Sequence, residues 1–217
     1  MSMTGQRNRV SNFYQIGLGK IRKNLGKTEP ENMEGVTERV NRNGEKVFEL
    51  VSDYIAGKII AVEMEAPEAG KEDFGSRVNV TLENAGVKAV LSFKWDSAYG
   101  RAFVFASPNI NLSKEIEFEP YQYVQKNTER TKTGLSLIQD GAQLDWAFGT
   151  KANPGGCPQL EKITFKGKDA WDNSKQLKFL EEKFNEFAAK VKTLNDLVAN
   201  EANAPEQPEA DDDFEDF

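Results

Sequence analysis

The sequence contains no histidine and only one cysteine, Cys157, among its 217 residues. A disulfide within the chain needs two cysteines, and a zinc site of the Cys/His type needs several such ligands. A Ser-His-Asp triad and any histidine acid or base are excluded in the same way. We therefore expect a protein that is not an enzyme and that uses neither a metal nor a cofactor.

Long hydrophobic runs are also missing. No apolar stretch approaches the roughly 20 residues that a membrane-spanning helix needs. The N-terminus has no hydrophobic segment of the kind found in signal peptides. We expect a soluble, cytoplasmic protein with no membrane association, located in the host cell cytoplasm if the protein is viral.

The C-terminal segment 201–217 lacks any Lys or Arg but carries eight carboxylates. Its only large apolar side chains are Phe214 and Phe217. A segment this acidic cannot bury enough apolar surface to offset its ordering entropy, so we expect a disordered tail. The tail could simply be solvated. Acidic residues that attract a partner and a terminal aromatic that anchors it are instead typical of a docking peptide.

Charge divides the chain into two parts. The net charge is −7, but without the eight tail acids the remainder carries +1. Residues 1–28 contain six basic side chains and no acid. A near-neutral body with an attached polyanion suggests that the tail competes with another polyanion, such as a nucleic acid, for one basic surface.

The body shows the signals of many short antiparallel strands. Asn43-Gly44 lies between two strand-like runs and predicts a hairpin, and Asp140-Gly141 predicts a second hairpin whose return arm contains Leu144, Trp146 and Phe148. Apolar residues alternate along 78–82 and again along 87–95, which is typical of half-buried strands. Residues 97–107 fit either a short helix or a strand.

A long amphipathic helix is predicted near the C-terminus, at about 174–199, with Ser174 as its N-cap. Its apolar stripe runs from Leu177 to Val198 at spacings of three and four. We expect this stripe to pack on the body. Because the spacing also fits a heptad, a coiled-coil homodimer is the alternative.

Together these patterns predict a mostly β fold. The strand number and the tight hairpins favour an OB-fold-like antiparallel barrel with additional strands, followed by the helix. An open sandwich is the alternative. We expect one domain over 1–199 and the disordered acidic tail over 200–217.

Single-strand binders with this fold combine a basic groove with aromatic rings on which bases stack. Basic residues interleaved with aromatics mark candidate positions, although solvated strands and hairpin tips show the same pattern. Tyr121 and Tyr123 follow Pro120, and if the strand alternation survives the proline, they point away from the buried Phe118. The candidate DNA-binding residues are Tyr14, Lys20, Arg22, Lys23, Arg39, Arg42, Lys46, Lys94, Tyr99, Arg101, Tyr121, Tyr123, Lys126, Arg130 and Lys132.

The chain's ending resembles that of a known family. Asp211-Asp212-Asp213-Phe214-Glu215-Asp216-Phe217 is similar to the acidic tail ending in Phe of single-stranded DNA-binding proteins, both bacterial and of the phage T7 type. The resemblance covers these seven residues. It implies a replication protein that coats and protects unwound DNA, with its tail recruiting replication, recombination or repair proteins. The body lacks the N-terminal strand sequence of the bacterial proteins and the Cys/His zinc set of the phage T4 type.

Three other functions fit parts of the sequence. An acidic-tailed interaction protein, such as a chaperone or an inhibitor of basic proteins, would explain the tail but not the basic N-terminus. An RNA-binding module would use the same chemistry as a DNA-binding one. A magnesium-dependent enzyme could use carboxylates alone, but the aspartates outside the tail are scattered, mostly at turns.

Overall fold

The computed structural model describes residues 12–30, 33–126, 128–149, 155–165 and 168–202. The described part is mostly β, as the sequence predicts, and ends in a long helix. Its strands are β1 (Phe13–Gly17), β2 (Lys20–Gly26), β3 (Val36–Val40), β4 (Lys46–Ser52), β5 (Ile55–Glu65), β6 (Arg77–Asn84), β7 (Val87–Lys94), β8 (Ile116–Val124), β9 (Thr131–Gln139), β10 (Ala142–Gln143), β11 (Glu161–Phe165) and β12 (Lys168–Asp172), and its helices are α1 (Ala98–Ala106) and α2 (Ser174–Ala202).

Ten strands form one sheet in the order β10-β9-β8-β5-β6-β7-β1-β2-β4-β3, and β11 and β12 form a separate ribbon. Neighbouring strands are antiparallel except β1 and β7, which run parallel. The long strand β5 pairs with β8 over Ile55–Gly57 and with β6 over Lys58–Glu65. A bulge between Ile59 and Ala61 interrupts its ladder with β6.

The alternation predicted for the central strands is confirmed. Val78, Val80 and Leu82 of β6 are almost completely buried, and Leu91 and Phe93 pack beside them from β7. The residues between them face outwards, since successive side chains of a strand point to opposite sides of the sheet. The apolar face encloses the core together with α1 and α2.

The hairpin predicted at Asn43-Gly44 is also confirmed and joins β3 to β4. Gly44 takes a positive φ of 78°, which glycine adopts without steric cost. The Asn41 side-chain oxygen accepts hydrogen bonds from the backbone N–H groups of Asn43 and Glu45, at 2.9 and 3.0 Å. A side chain that replaces backbone partners in this way is typical of tight turns.

The ambiguous segment 97–107 forms helix α1. The Ser97 side chain accepts a hydrogen bond from the Gly100 N–H at 3.2 Å, which is the N-cap arrangement. Helix α1 places Phe103 between Phe93 and Phe118 of the sheet and Phe187 of α2, with ring centroids 5.7 to 6.0 Å apart. These four rings form the centre of the core.

Helix α2 packs its apolar stripe on the body. Leu180, Phe184, Phe187 and Val191 are at most 5% exposed, so these stripe positions are not available for a coiled coil. The Asn195 side-chain amide donates a hydrogen bond to the carbonyl of Ile60, at the bulge of β5, at 2.6 Å. The stripe is therefore a core element along most of the helix.

Two local predictions are wrong. The return arm of the second hairpin has only two residues, β10, and Leu144, Trp146 and Phe148 lie beyond it in a loop. Ser174 is the first residue of α2 instead of its N-cap. The first helical hydrogen bond runs from the Leu177 N–H to the Asn173 carbonyl, and the Ser174 N–H donates to the Asp172 carboxylate. Strand β12 was not predicted, and α2 extends to Ala202.

The sheet curls without closing into a hydrogen-bonded barrel. The turn between β1 and β2 lies against β8, although four strands separate β2 from β8 in the sheet order. A Cβ on Gly19 would meet the backbone nitrogen of Gln122 at 2.7 Å, so only glycine permits this approach. Among the described residues, no ladder joins β2 to β8.

Candidate nucleic-acid interface

Two tyrosines form an exposed pair on the outer face of β8. Pro120 does not end the strand: β8 continues to Val124, and Pro120 is buried opposite Leu135 of β9. Tyr121 and Tyr123 are therefore directed away from the core, as the alternation predicts, and are 41% and 54% exposed. Their rings stack on each other with centroids 6.3 Å apart and planes inclined by 24°.

Strand β9 makes room for this pair. Tyr121 lies directly opposite Gly134, and Tyr123 lies opposite Lys132. A Cβ at residue 134 would collide with the Tyr121 hydroxyl and ring, so the absent side chain leaves room for the ring over β9. The result is an exposed pair of stacked rings beside Lys132.

The end of the β8–β9 hairpin carries three basic residues and one acid, Glu129. Lys126 and Arg130 lie in the connection between the strands, and Lys132 lies near the start of β9. In the described part of the chain, none of these three side chains forms an ion pair or a hydrogen bond with another side chain. Three available cations beside two stacked rings are what a basic, base-stacking surface needs.

Backbone hydrogen bonds make the connection between β8 and β9 a defined turn. The Gln125 N–H donates to the Arg130 carbonyl at 3.0 Å, and the Glu129 N–H donates back to the Gln125 carbonyl at 3.1 Å. Strand β9 already begins at Thr131. Asn127 lies outside the described residues.

The other half of the same face is acidic. Glu117 and Glu119 precede the tyrosines on the outer side of β8, opposite Ile138 and Ser136 of β9. The outer face thus changes from acidic to aromatic and basic towards the end of the hairpin. A polyanion would be attracted to the distal half and repelled from the proximal half.

The β1–β2 turn borders the tyrosines. Gly19 packs on the backbone of Tyr121 and Gln122, and its N–H donates to the Tyr99 hydroxyl at 3.0 Å. Tyr99 is only 8% exposed. A ring in this position is not available to stack on a base, so the assignment of Tyr99 is corrected to a core residue that supports the turn. Lys20, next in the chain, forms an exposed ion pair with Asp53 at 2.5 Å.

Arg22 and Arg39 converge on one carboxylate. Arg22 Nη1 lies 3.0 Å from Glu49 Oε2, and Arg39 Nε lies 2.5 Å from Glu49 Oε1. Arg22 Nε also donates to the Gly17 carbonyl at 3.1 Å. The two candidate residues are therefore brought together, on the outer face of β2, β4 and β3.

The remaining candidates are spread over the body. Tyr14 is half-buried against the core, with Lys23 Nζ 5.5 Å above its ring, so Tyr14 is likewise not an open stacking surface. Lys46 pairs with Glu38 and Lys94 with Asp96, at 2.9 and 3.3 Å. Exposed pairs of this kind contribute about 0 to 1 kcal/mol each and are readily exchanged for a phosphate. Arg101 donates to the Asp96 carbonyl at 3.0 Å, and Arg42 lies in the β3–β4 turn.

One prominent exposed aromatic, Trp171, is not among the site residues predicted from the sequence. Trp171 on β12 is 65% exposed and lies opposite Lys162 of β11. Lys162 pairs with Asp169 at 2.6 Å on the same side of the ribbon. The exposure of Trp171 could have been predicted from its neighbours in the sequence, Asp169 and Asp172, because a tryptophan between aspartates is unusual for the core.

The predicted tail residues Asp211, Asp212, Asp213, Phe214, Glu215, Asp216 and Phe217 lie outside the described residues. So do Arg7 and Arg9 of the basic N-terminal segment. No family model, no curated protein and no solved structure matches this chain. Within the described ranges, neither helix combines the length and apolar character needed to cross a membrane, and no cluster of His, Cys, Asp and Glu is arranged to hold a metal ion.

Proposed function

We propose that this protein binds single-stranded DNA and coats unwound strands during replication, recombination and repair. The observation that carries the proposal is the exposed, mutually stacked pair Tyr121 and Tyr123, bordered by Lys126, Arg130 and Lys132. Both tyrosine rings are open to solvent, and within the described ranges no ion pair or side-chain hydrogen bond uses the three cations. Bases that stack on the rings and phosphates that approach the cations would use all five side chains.

The expected binding mode has two components. Each base stacked on an aromatic ring contributes about 1–3 kcal/mol, and the contribution depends little on base identity because every base has a π-face. Lysine and arginine contacts with phosphates release counterions and make the affinity fall steeply with salt. Binding should therefore be tolerant of sequence and sensitive to ionic strength. Duplex DNA, whose bases are already stacked, offers only the second component.

We further propose that the curled sheet is an OB-type barrel with additional strands. Two features support this assignment: β5 pairs with two neighbours along its length, and α1 lies between β7 and β8. A five-stranded, partly open barrel with a helix before its fourth strand fits β5 to β9, with β1 inserted beside β7. Strands β1 to β4 would be the additional ones.

The second part of the proposed function concerns the acidic C-terminal tail. It contains all of the chain's excess negative charge and ends in an aromatic residue. We propose that it recruits replication or repair proteins and, as a polyanion, competes with DNA for the basic surface. Location in the cytoplasm, or in the host cell cytoplasm of a phage, follows from the same proposal.

Fluorescence anisotropy of labelled oligonucleotides tests the proposal directly. The intact protein should bind a mixed-sequence single-stranded DNA more tightly than the corresponding duplex, and its affinity should fall as salt is raised. Equal affinity for both forms would refute single-strand binding. Preference for an RNA of the same sequence would reassign the surface to an RNA-binding module. Binding to basic proteins, with no nucleic acid bound, would favour the acidic-tailed interaction protein.

A further inference from the structure

Glu49 is a buried acid on the outer face of the sheet. It lies in the middle of β4, and its side chain is only 7% exposed. The neighbouring strands each supply one arginine to it: Arg22 comes from β2 and Arg39 from β3. Each arginine uses a different carboxylate oxygen, so both acceptor oxygens are occupied.

Three guanidinium nitrogens of the two arginines have no hydrogen-bond partner among the described residues. Arg22 uses Nε for the Gly17 carbonyl and Nη1 for Glu49, which leaves Nη2 without a partner among the described residues. Arg39 uses only Nε, which leaves both terminal nitrogens. Their side chains are 26% and 45% exposed, so both guanidinium-bearing side chains are partly open to solvent. The three side chains together carry one net positive charge.

A guanidinium whose orientation is already fixed is well suited to bind an oxyanion. Arginine presents several donors in a rigid plane and binds phosphate oxygens in pairs, while a fixed orientation reduces the entropy lost on binding. Glu49 supplies that fixation for two guanidiniums at once. Its carboxylate takes one donor nitrogen from each arginine and leaves the other terminal nitrogens for a further acceptor.

We propose that Glu49 holds Arg22 and Arg39 as a preformed phosphate-binding pair for the single-stranded DNA that stacks on Tyr121 and Tyr123. The inference rests on the proposed function and extends it to a second contact region. Glu49 is a positioning residue in this scheme and touches no nucleic acid itself. Without it the arginines would remain charged but lose their common orientation.

The position of the pair supports a continuous path with the tyrosines. Arg22 is hydrogen-bonded to the carbonyl of Gly17, and Gly19, two residues later, packs on the backbone of Tyr121. The β1–β2 turn is thus shared between the two contact regions. A strand that leaves the tyrosine pair over this turn reaches the arginines next.

The substitution Glu49→Gln separates this role from simple electrostatics. Losing a negative charge makes the surface more positive, so a charge effect alone predicts tighter DNA binding. Loss of positioning predicts weaker binding. We expect the affinity of E49Q for single-stranded DNA to fall by about tenfold, in the range of one hydrogen bond to a charged group.

Glu45→Gln is the matched control. Glu45 pairs with Lys27 at 2.5 Å in the same part of the molecule, but both side chains of this pair are exposed to solvent. E45Q removes the same charge without releasing either arginine, so its affinity should stay level or rise slightly. Equal behaviour of E45Q and E49Q would overturn the inference.

Salt titrations of Arg22→Gln and Arg39→Gln identify the phosphate contacts. Each variant should reduce the slope of log K against log salt by about 0.7, the value for one phosphate contact with a single strand. An unchanged slope in both variants would overturn the inference. So would E49Q binding DNA more tightly than the unsubstituted protein.

Two further comparisons keep the outcome clear. If thermal melting shows that E49Q does not fold, the double variant R22K/R39K tests the same point. It preserves both positive charges but removes the planar guanidinium groups. Unchanged DNA binding by this variant would count against the arginine pair. If the unsubstituted protein fails to bind single-stranded DNA at all, the proposed function is wrong. Normal binding with normal E49Q affinity refutes only this inference.

Discussion

The Tyr121 ring occupies the space that a side chain at Gly134 would need on the neighbouring strand. Gly134→Ala should therefore push the ring off β9 and break its stacking with Tyr123. We expect weaker binding of single-stranded DNA with little change in the melting temperature, because the ring is on the outer face. Ser136→Ala, one outward position further along β9, should leave DNA affinity unchanged. Equal affinities of G134A and the unsubstituted protein would show that the orientation of Tyr121 is irrelevant.

Replacing Tyr121 and Tyr123 together by Ala should remove the stacking component. The expected loss is about 1–3 kcal/mol for each base that no longer stacks, which corresponds to about thirtyfold or more in affinity for two rings. The double Phe variant retains both ring faces and should bind nearly normally. Oligonucleotide anisotropy measures the change. A cooperative melting transition should persist, because both rings are exposed; its loss would assign them to the core instead.

Deleting Ala210–Phe217 should strengthen DNA binding. The deletion removes five side-chain carboxylates from a chain whose remainder is near neutral. If the tail competes with DNA, the gain should be largest at low salt and fade above roughly 0.1 M, where the Debye length is about 10 Å. A truncated protein with unchanged affinity at every salt concentration would contradict the competition.

Replacing Phe217 alone by Ala should affect partners without affecting DNA. The charge of the tail stays the same, so the competition with DNA remains. The aromatic anchor is lost, and docking on a replication or repair protein should weaken, since anchors supply most of the binding energy and charges mainly steer. A pull-down with full-length and F217A protein measures this. Full partner recovery by F217A would eliminate the anchor role.

The start of helix α2 should become less stable in acid. The pKa of the Asp172 carboxyl lies below its usual value of 3.8, first because the Ser174 hydroxyl and then because the Ser174 N–H donate to it. A lowered pKa in the folded state means that this stabilisation is present above about pH 4 and is lost as the pH falls through the lowered value.

Asp172→Ala should therefore lower the urea midpoint at pH 7 and lower it much less near pH 3. The unsubstituted protein, measured at the same two pH values, is the reference for each comparison. Equal destabilisation of D172A at both pH values would show that the ionised carboxylate is not the source.

Local sequence patterns predicted the local structure well. The Asn43-Gly44 hairpin follows from the backbone preferences of two adjacent residues, and the buried face of β6 and β7 follows from strict alternation. The exposure of Tyr121 and Tyr123 could be predicted because Pro120 does not disturb the period of two. The N-cap at Asn173 was missed because Ser174, one residue later, is also a strong capping residue type.

Contacts between distant residues could not be predicted in this way. The sequence around Tyr99 does not distinguish it from the other tyrosines. Tyr99 contacts Gly19, which is far away in the sequence, through a hydrogen bond from the Gly19 N–H to its hydroxyl. The meeting of Arg22 and Arg39 on Glu49 requires the order of β2, β4 and β3 in the sheet. Single-sequence periodicity contains no information on that order, so the arginines appeared only as isolated basic residues.

The parallel pairing of β1 with β7 determines when the protein can fold during its synthesis. The β1–β7 ladder joins Phe13, Tyr14 and Gln15 to Val90, Leu91 and Ser92, and the Val90 N–H donates to the Asn12 carbonyl at 2.9 Å. On the ribosome, strands β1 to β4 emerge well before the strand that attaches them to the rest of the sheet. The edge of β1 that pairs with β7 therefore stays without a partner strand until residue 94 has left the exit tunnel. Unpaired strand edges of this kind are prone to association.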